Sequence, residues 1–117
     1  MTKWIAGLLG GGGVPAGWNR IAHLAIAGDS GRWRINLDLN AGLRYVKLKS
    51  PLVDILVYRW TLEFEDGRIQ DLSVGRLLAG TESRPMAIAG RRLKGMAVEY
   101  SLASGVRRGR LESWARC

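Results

Sequence analysis

The sequence predicts one all-β domain, an antiparallel β-sandwich or jelly roll of about eight short strands. Apolar and polar residues alternate with a period of two in several runs, which is typical of half-buried strands. Glycine, proline, asparagine and aspartate separate these runs where turns are needed. No segment keeps a 3.6-residue period long enough for a helix. The 117 residues, 47% hydrophobic and 24% charged, suffice for a single core.

Three runs give the strongest strand signals. Residues 33–39 alternate strictly, with apolar side chains at the odd positions. In residues 53–64 the even positions from Leu56 to Phe64 are apolar or aromatic, and the first half is apolar on both faces, which predicts cover on both sides. In residues 93–102 the even positions from Met96 to Leu102 are expected to face inward. Weaker strands are predicted at 21–26, 43–48, 69–74, 86–88 and 106–114.

The sequence predicts a flexible leader or a truncated signal segment at residues 1–17. It predicts a single β-sandwich domain at residues 18–117. Lys3 precedes a short apolar run at 4–9, and small residues follow at 14–16, which is the order of a secretory signal. The apolar run is far too short for a transmembrane segment. We therefore expect a periplasmic or secreted protein, with a cytoplasmic protein as the alternative.

The aliphatic and aromatic run from Val53 to Phe64 is followed by a hairpin at 65–72, a segment at 79–84 and a strand at 91–100. This arrangement resembles small bacterial envelope proteins of the domain of unknown function 2541 type. The resemblance covers about half of the chain. It implies a compact β-sandwich and export, and it brings no catalytic residues.

The residues that most enzymes need are nearly absent, which argues against catalysis. His23 and Cys117 are the single histidine and the single cysteine. Gly28-Asp29-Ser30-Gly31 matches the nucleophile tetrapeptide of chymotrypsin-like proteases, but that chemistry needs a histidine far upstream, so a turn is the simpler interpretation. We expect no enzymatic activity.

We also expect no cofactor and no metal. Residues 11–16 satisfy G-x-G-x-x-A, but the motif contains a proline and lacks the flanking strand and helix of a dinucleotide site. His23 has no second histidine or cysteine with which to bind zinc. Glu63, Glu65 and Asp66 are better explained as a solvated hairpin tip than as calcium ligands.

Positive charge is the one feature with functional promise. The chain carries a net charge of +8, and residues 68–117 contribute 10 basic and 4 acidic groups of the total. The candidate binding residues for an anion or partner are two basic clusters and one aromatic residue: Arg91, Arg92, Lys94, Arg107, Arg108, Arg110 and Trp114.

A hairpin over Ser104-Gly105 would relate the two clusters. In the register that this turn predicts, Arg110 lies opposite Glu99 and Val98 opposite Leu111, so both faces are satisfied. The clusters then lie about 30 Å apart, and Trp114 is on the outer face.

The preferred hypothesis is a non-enzymatic interaction module of the bacterial envelope. Its Arg-rich face would bind an unknown protein, an anionic envelope polymer or a lipid surface. The first alternative is a cytoplasmic nucleic-acid-binding protein that uses the same residues, with Trp114 stacking on bases. A structural subunit of an assembly is the second alternative.

Overall fold

The computed structural model describes residues 17–37, 43–88 and 92–116. Ten β-strands form in this part of the chain, and the longer ones coincide with the alternating runs of the sequence. Their bounds are β1 Asn19–Ala27, β2 Ser30–Asn36, β3 Tyr45–Ser50, β4 Ile55–Phe64, β5 Ile69–Leu72, β6 Gly75–Leu77, β7 Thr81–Glu82, β8 Met86–Ala87, β9 Leu93–Leu102 and β10 Arg108–Arg116. The described residues include no helix of the length and apolar character needed to cross a membrane.

The strands make two antiparallel five-stranded sheets that pack as a sandwich, which confirms the predicted fold class. Sheet A has the order β1-β10-β3, and β7 and β8 both pair with the far side of β3. Sheet B has the order β2-β9-β4, and β5 and β6 both pair with the far side of β4. Within the described chain, β1 and β2 are therefore the edge strands on one side of the sandwich.

The core lies between the two sheets. Sheet A contributes Val46, Leu48 and Leu111, and sheet B contributes Trp60, Leu62, Met96 and Val98, all buried. On β9 the even positions from Met96 to Leu102 face the core, as the sequence predicts. Burial of these large apolar side chains supplies most of the favourable free energy of folding.

The predicted hairpin between residues 93–103 and 106–115 is wrong. β9 lies in the centre of sheet B, where β2 and β4 occupy both of its edges. The chain therefore passes from sheet B to sheet A through residues 103–107, which are mostly exposed, and β10 then pairs with β1 and β3. Gly105 turns the chain there with φ of 81°. Both strands alternate, so either pairing satisfies their two faces, and the sequence could not distinguish them.

The predicted inner face of residues 53–64 is correct only in its second half. A β-bulge at Tyr58 interrupts the pairing of β4 with β9 and reverses the phase of alternation. Trp60, Leu62 and Phe64 point into the core, whereas Leu56 and Tyr58 are exposed. Ile55 and Val57 take the inner positions before the bulge. Consecutive apolar residues occur in this half because the inward positions change from odd to even numbers at the bulge. They do not mean that the strand is covered on both faces.

Two short strands, β6 and β7, are missing from the sequence prediction, which has one run at 69–74 and a turn near residue 80. At three and two residues they are too short for a visible period. The predicted leader at 1–17 lies almost wholly outside the described residues.

Candidate anion-binding face

The outer surface of sheet A is built around β10. Leu111, Ser113 and Ala115 face the core and are fully buried. The alternation of a strand then directs the other residues of β10 outward. These are Arg108, Arg110, Glu112, Trp114 and Arg116. One face of a single strand thus carries three arginines, a tryptophan and one carboxylate.

Arg108 and Arg110 lie at an open flank of the sheet. On β1 their opposite residues are Ala27 and Ala25, which are too small to cover them. On the other side, the pairing of β3 with β10 ends at Lys49 and Glu112, so no β3 residue opposes either arginine. Arg107 is exposed directly before the strand, and its carbonyl accepts the N–H of Gly28 at 2.8 Å. None of these three side chains forms an ion pair with a described residue.

Glu112 is a carboxylate of this face that is almost fully buried, at 7% exposure. Its Oε2 lies 3.4 Å from Nη1 of Arg20, and its Oε1 accepts a hydrogen bond from Nε1 of Trp114 at 3.1 Å. Both oxygens are thus engaged by protein donors. A carboxylate held in this way repels an incoming anion less than a free one would.

Aromatic side chains collect at the opposite end of the face. Lys47 is buried, and its Nζ lies 4.3 Å from the ring centre of Trp18 and 2.9 Å from Oε1 of Glu82. The guanidinium of Arg116 lies 6.0 Å from the Trp18 ring and 5.8 Å from the Tyr45 ring. These are cation–π distances, and they fix the two rings over the end of the sheet.

We call this surface the basic face. Its strand residues include six outward cations and two carboxylates, Glu82 and Glu112, each of which is paired. The cations are Arg20, Lys47, Lys49, Arg108, Arg110 and Arg116. With Arg107 at its end, the face has an excess of positive charge that is concentrated at Arg107, Arg108 and Arg110.

The outer face of sheet B is balanced by comparison. Arg34 Nη2 lies 3.0 Å from Oε2 of Glu63, and Nζ of Lys94 lies 3.7 Å from Oε1 of the same carboxylate. The hydrogen bond from Arg34 and the charges of Arg34 and Lys94 lower the pKa of Glu63 below its ordinary value. Arg59 and Glu99 approach to 3.9 Å. Most of the cations on this face therefore have a carboxylate beside them.

The structure divides the seven predicted site residues. Arg108, Arg110 and Trp114 lie on the outer side of β10, Trp114 as predicted, and Arg107 is exposed directly before the strand. Arg92 and Lys94 are exposed on or beside sheet B, so the predicted single Arg-rich face does not form from both clusters. Arg91 lies outside the described residues. Arg92 and Lys94 are separated from Arg108 and Arg110 because the chain passes from sheet B to sheet A at residues 103–107.

Several residues of the basic face are absent from the sequence prediction. The run Tyr45-Val46-Lys47-Leu48-Lys49 alternates, so its aromatic and basic residues could have been placed on an outer face. Arg20 and Trp18 gave no such signal, because a bulge between Arg20 and Ala22 breaks the alternation of β1. The position of β1 and β3 on either side of β10 depends on the order of strands in the sheet, which local sequence pattern does not indicate.

The remaining polar features of the described residues include one buried histidine nitrogen and two cavities. His23 lies opposite Glu112, and its Nδ1 is buried with no hydrogen-bond partner among the described residues. Within the described ranges no three His, Cys, Asp or Glu side chains are grouped to hold a metal ion. Cavities of about 240 and 430 Å³ border Arg76, and the larger one also reaches Glu82 at the rim of the basic face.

Comparison of the chain with protein-family models, curated proteins and solved structures finds no match. The resemblance to the domain of unknown function 2541 proteins therefore stays a prediction. Fold and surface define the chain only by class, as a β-sandwich with one strongly basic sheet face.

Proposed function

We propose that this protein is a non-enzymatic interaction module that binds an anionic polymer or surface through the basic face of sheet A. One observation carries the proposal: Arg108 and Arg110 project together at an open flank, with Arg107 exposed directly before them, while the carboxylates of the same face are paired. Unpaired guanidiniums bind carboxylate, sulfate and phosphate groups with charge-assisted hydrogen bonds.

The shape of the face favours an extended ligand. Outward residues on one strand repeat at about 7 Å, and Arg108 and Arg116 lie about 27 Å apart along β10. A polymer that carries a charge on each repeat unit could contact several cations in succession. Each contact is weak, so affinity comes from their number and falls as salt rises.

The compartment is part of the proposal. We infer a bacterial envelope protein, since envelope polymers and anionic lipid headgroups present the required dense negative charge. Intact mass after fractionation tests it. A mature chain that begins at Gly17 in the periplasm would support export, whereas a chain that begins at Met1 or Thr2 in the cytosol would contradict it.

Nucleic-acid binding is the second candidate, and Trp114 favours it. The ring is half-buried on the basic face, with Arg20 opposite it on β1 and Lys47 opposite it on β3. A base could stack on the ring while the cations contact phosphates.

The test compares two triple variants that lower the net charge equally. Arg107, Arg108 and Arg110 are replaced by alanine in one, and Arg32, Arg34 and Arg59 of sheet B in the other. The probes are labelled sulfated dextran, phosphatidylglycerol vesicles and a single-stranded oligonucleotide. At about 1 kcal/mol per contact, the first variant should lose on the order of 100-fold affinity for the preferred probe at low salt.

With both variants compared again at about 0.15 M salt, where the Debye length is about 8 Å, the sheet B variant should retain affinity within about threefold, because the charges of the opposite sheet face are then largely screened. Equal losses in both variants would show that binding follows net charge and not the basic face. Failure of the wild-type protein to bind any of the three probes would overturn the proposal.

A further inference from the structure

The outer edge of β1 has unpaired backbone groups whose positions follow from its hydrogen bonds. The N–H of Gly28 donates to the carbonyl of Arg107, so residues 28, 26, 24 and 22 direct their N–H and C=O toward β10. The backbone groups of His23, Ala25 and Ala27 then point away from the sheet. No described strand pairs with them.

The neighbouring edge, β2, is protected. The N–H of Leu37 donates to the carbonyl of Lys94, and the N–H of Leu102 donates to the carbonyl of Asp29. The even residues of β2 therefore point their backbone N–H and C=O groups away from β9. Two of those four residues are Arg32 and Arg34. Charged residues on an edge strand oppose the addition of another strand.

The edge of β1 lacks this protection. Its outward positions 23, 25 and 27 carry a histidine and two alanines, and the interior positions 24 and 26 carry leucine and isoleucine. A bulge interrupts the strand only near its start, between Arg20 and Ala22. Residues 22–27 thus form an edge with no bulge, no proline and no Lys, Arg, Asp or Glu side chain, of the kind that pairs with another strand.

We propose that β1 pairs antiparallel with β1 of a second copy of this chain, so that sheet A continues across a dimer. The two-fold axis passes between Ala25 and Ala25 of the second copy. His23 then lies opposite Ala27 of the second copy, and each such pair exchanges two backbone hydrogen bonds. Leu24 lies opposite Ile26 of the second copy on the inner face.

This register matches side chains of like character and brings no two charged residues of β1 together. Apolar residues meet apolar residues on the inner face, and only small residues and His23 meet on the outer face. No charged residue of β1 faces a like charge, because Arg20 falls opposite Ser30 of the second copy, beyond the end of its β1. Since a second copy supplies the matching strand without any further assumption, it is the occupant to which the edge is best suited.

Salt should act on the dimer in the opposite sense to its action on polyanion binding. Each copy carries a net charge of +8, so the copies repel each other at low ionic strength. Screening reduces this repulsion and strengthens the dimer. The inference goes beyond the proposed function, and either can fail without the other.

Sedimentation equilibrium over a range of protein concentrations tests the dimer. The wild-type mass should rise from 12.9 kDa toward twice that value, and it should do so at lower concentration in high salt. Ala25→Pro should stay monomeric, because proline removes an outward N–H but none of the bonds to β10. Ala25→Val keeps the N–H and should still dimerise. Circular dichroism checks that both variants fold.

Cysteine cross-linking tests the register without proline. In a Cys117→Ala background, Ala25→Cys places two thiols across the axis with Cα atoms about 5.5 Å apart, within disulfide range. Ala27→Cys, equally exposed, places them about 14 Å apart. Mild oxidation should cross-link the first variant at least about tenfold faster. A wild-type protein that stays monomeric, or equal cross-linking at both positions, would overturn the proposal.

Discussion

Trp114 donates a hydrogen bond from Nε1 to Oε1 of Glu112, two residues earlier on the same strand, at 3.1 Å. Both side chains lie on the outer face of sheet A, and the other oxygen of Glu112 lies beside Arg20. The contact orients the indole ring and engages a carboxylate that would otherwise oppose anion binding. It links the aromatic part of the basic face to its charged part.

Glu112→Gln should strengthen polyanion binding. The change removes one negative charge and releases Arg20, while the amide oxygen still accepts from Trp114. We expect about 3- to 10-fold higher affinity for sulfated dextran at low salt, and a loss of about 1 kcal/mol in the free energy of unfolding. Titration at several salt concentrations and chemical denaturation measure the two effects. Weaker binding would mean that Glu112 contacts the ligand itself.

Substitution of Trp114 separates the two candidate functions. Trp114→Ala should lower affinity for a single-stranded oligonucleotide by about 1–3 kcal/mol if bases stack on the ring. Trp114→Phe retains an aromatic surface and should lose less. Affinity for sulfated dextran, which has no bases, should change little in either variant. An oligonucleotide that binds all three proteins equally would remove Trp114 from the nucleic-acid hypothesis.

Lys47 should stabilise the fold through its contacts with Trp18 and Glu82 at the aromatic end of the basic face. Lys47→Ala removes the contact with the Trp18 ring, the pair with Glu82 and the packing of the aliphatic stem, for a loss of about 2 kcal/mol. Lys47→Met keeps the stem and should lose about 1 kcal/mol or less. Urea denaturation of the two variants gives the comparison. A larger loss with methionine than with alanine would contradict this account.

Gly95 should not accept a side chain. A Cβ at this position would lie 2.9 Å from the backbone oxygen of Ile35, so β2 would have to move. We expect Gly95→Ala to destabilise the protein by about 1–3 kcal/mol. Gly109→Ala is a useful comparison, because its Cβ would meet a side-chain atom, Cγ2 of Val53, at 2.7 Å. A side chain moves more readily than a paired strand, so the Gly109 variant should lose less stability.

The pKa of Glu63 should rise when its cations are removed. The hydrogen bond from Arg34, with the charges of Arg34 and Lys94, holds this pKa below its ordinary value in the folded protein. A lowered folded-state pKa stabilises the fold above the unfolded pKa of about 4.3, and the stabilisation is lost as pH falls through the lowered value. In Arg34→Ala/Lys94→Ala the pKa should return toward its ordinary value. Carboxyl NMR titration of Glu63 measures it, with Glu99 as an internal reference.

The parts of the fold that could be predicted follow from the alternation of apolar and polar residues and from turn residues. The inner positions of β9 follow from strict alternation, and the turns follow from glycine and aspartate. The candidate site was predicted in part: Arg108, Arg110 and Trp114 lie on one face with Arg107 next to it, whereas Arg92 and Lys94 do not join them. Neither the bulge at Tyr58 nor the one after Arg20 could be located from the sequence, because adjacent apolar residues fit a change of phase and cover on both faces equally well; each bulge reverses the phase of its strand.

The sequence by itself determined an all-β chain, its main strands and the core-facing residues of β9 and of the second half of β4. These properties depend on neighbours along the chain, and alternation with a period of two records them directly. Only the tertiary structure decided that β9 and β10 lie in different sheets, and that β1 and β3 bring Arg20, Lys47 and Lys49 beside β10. Strand pairing joins residues far apart in the chain, and an alternating strand satisfies its two faces beside any antiparallel partner. The choice among partners rests on the packing of the whole core.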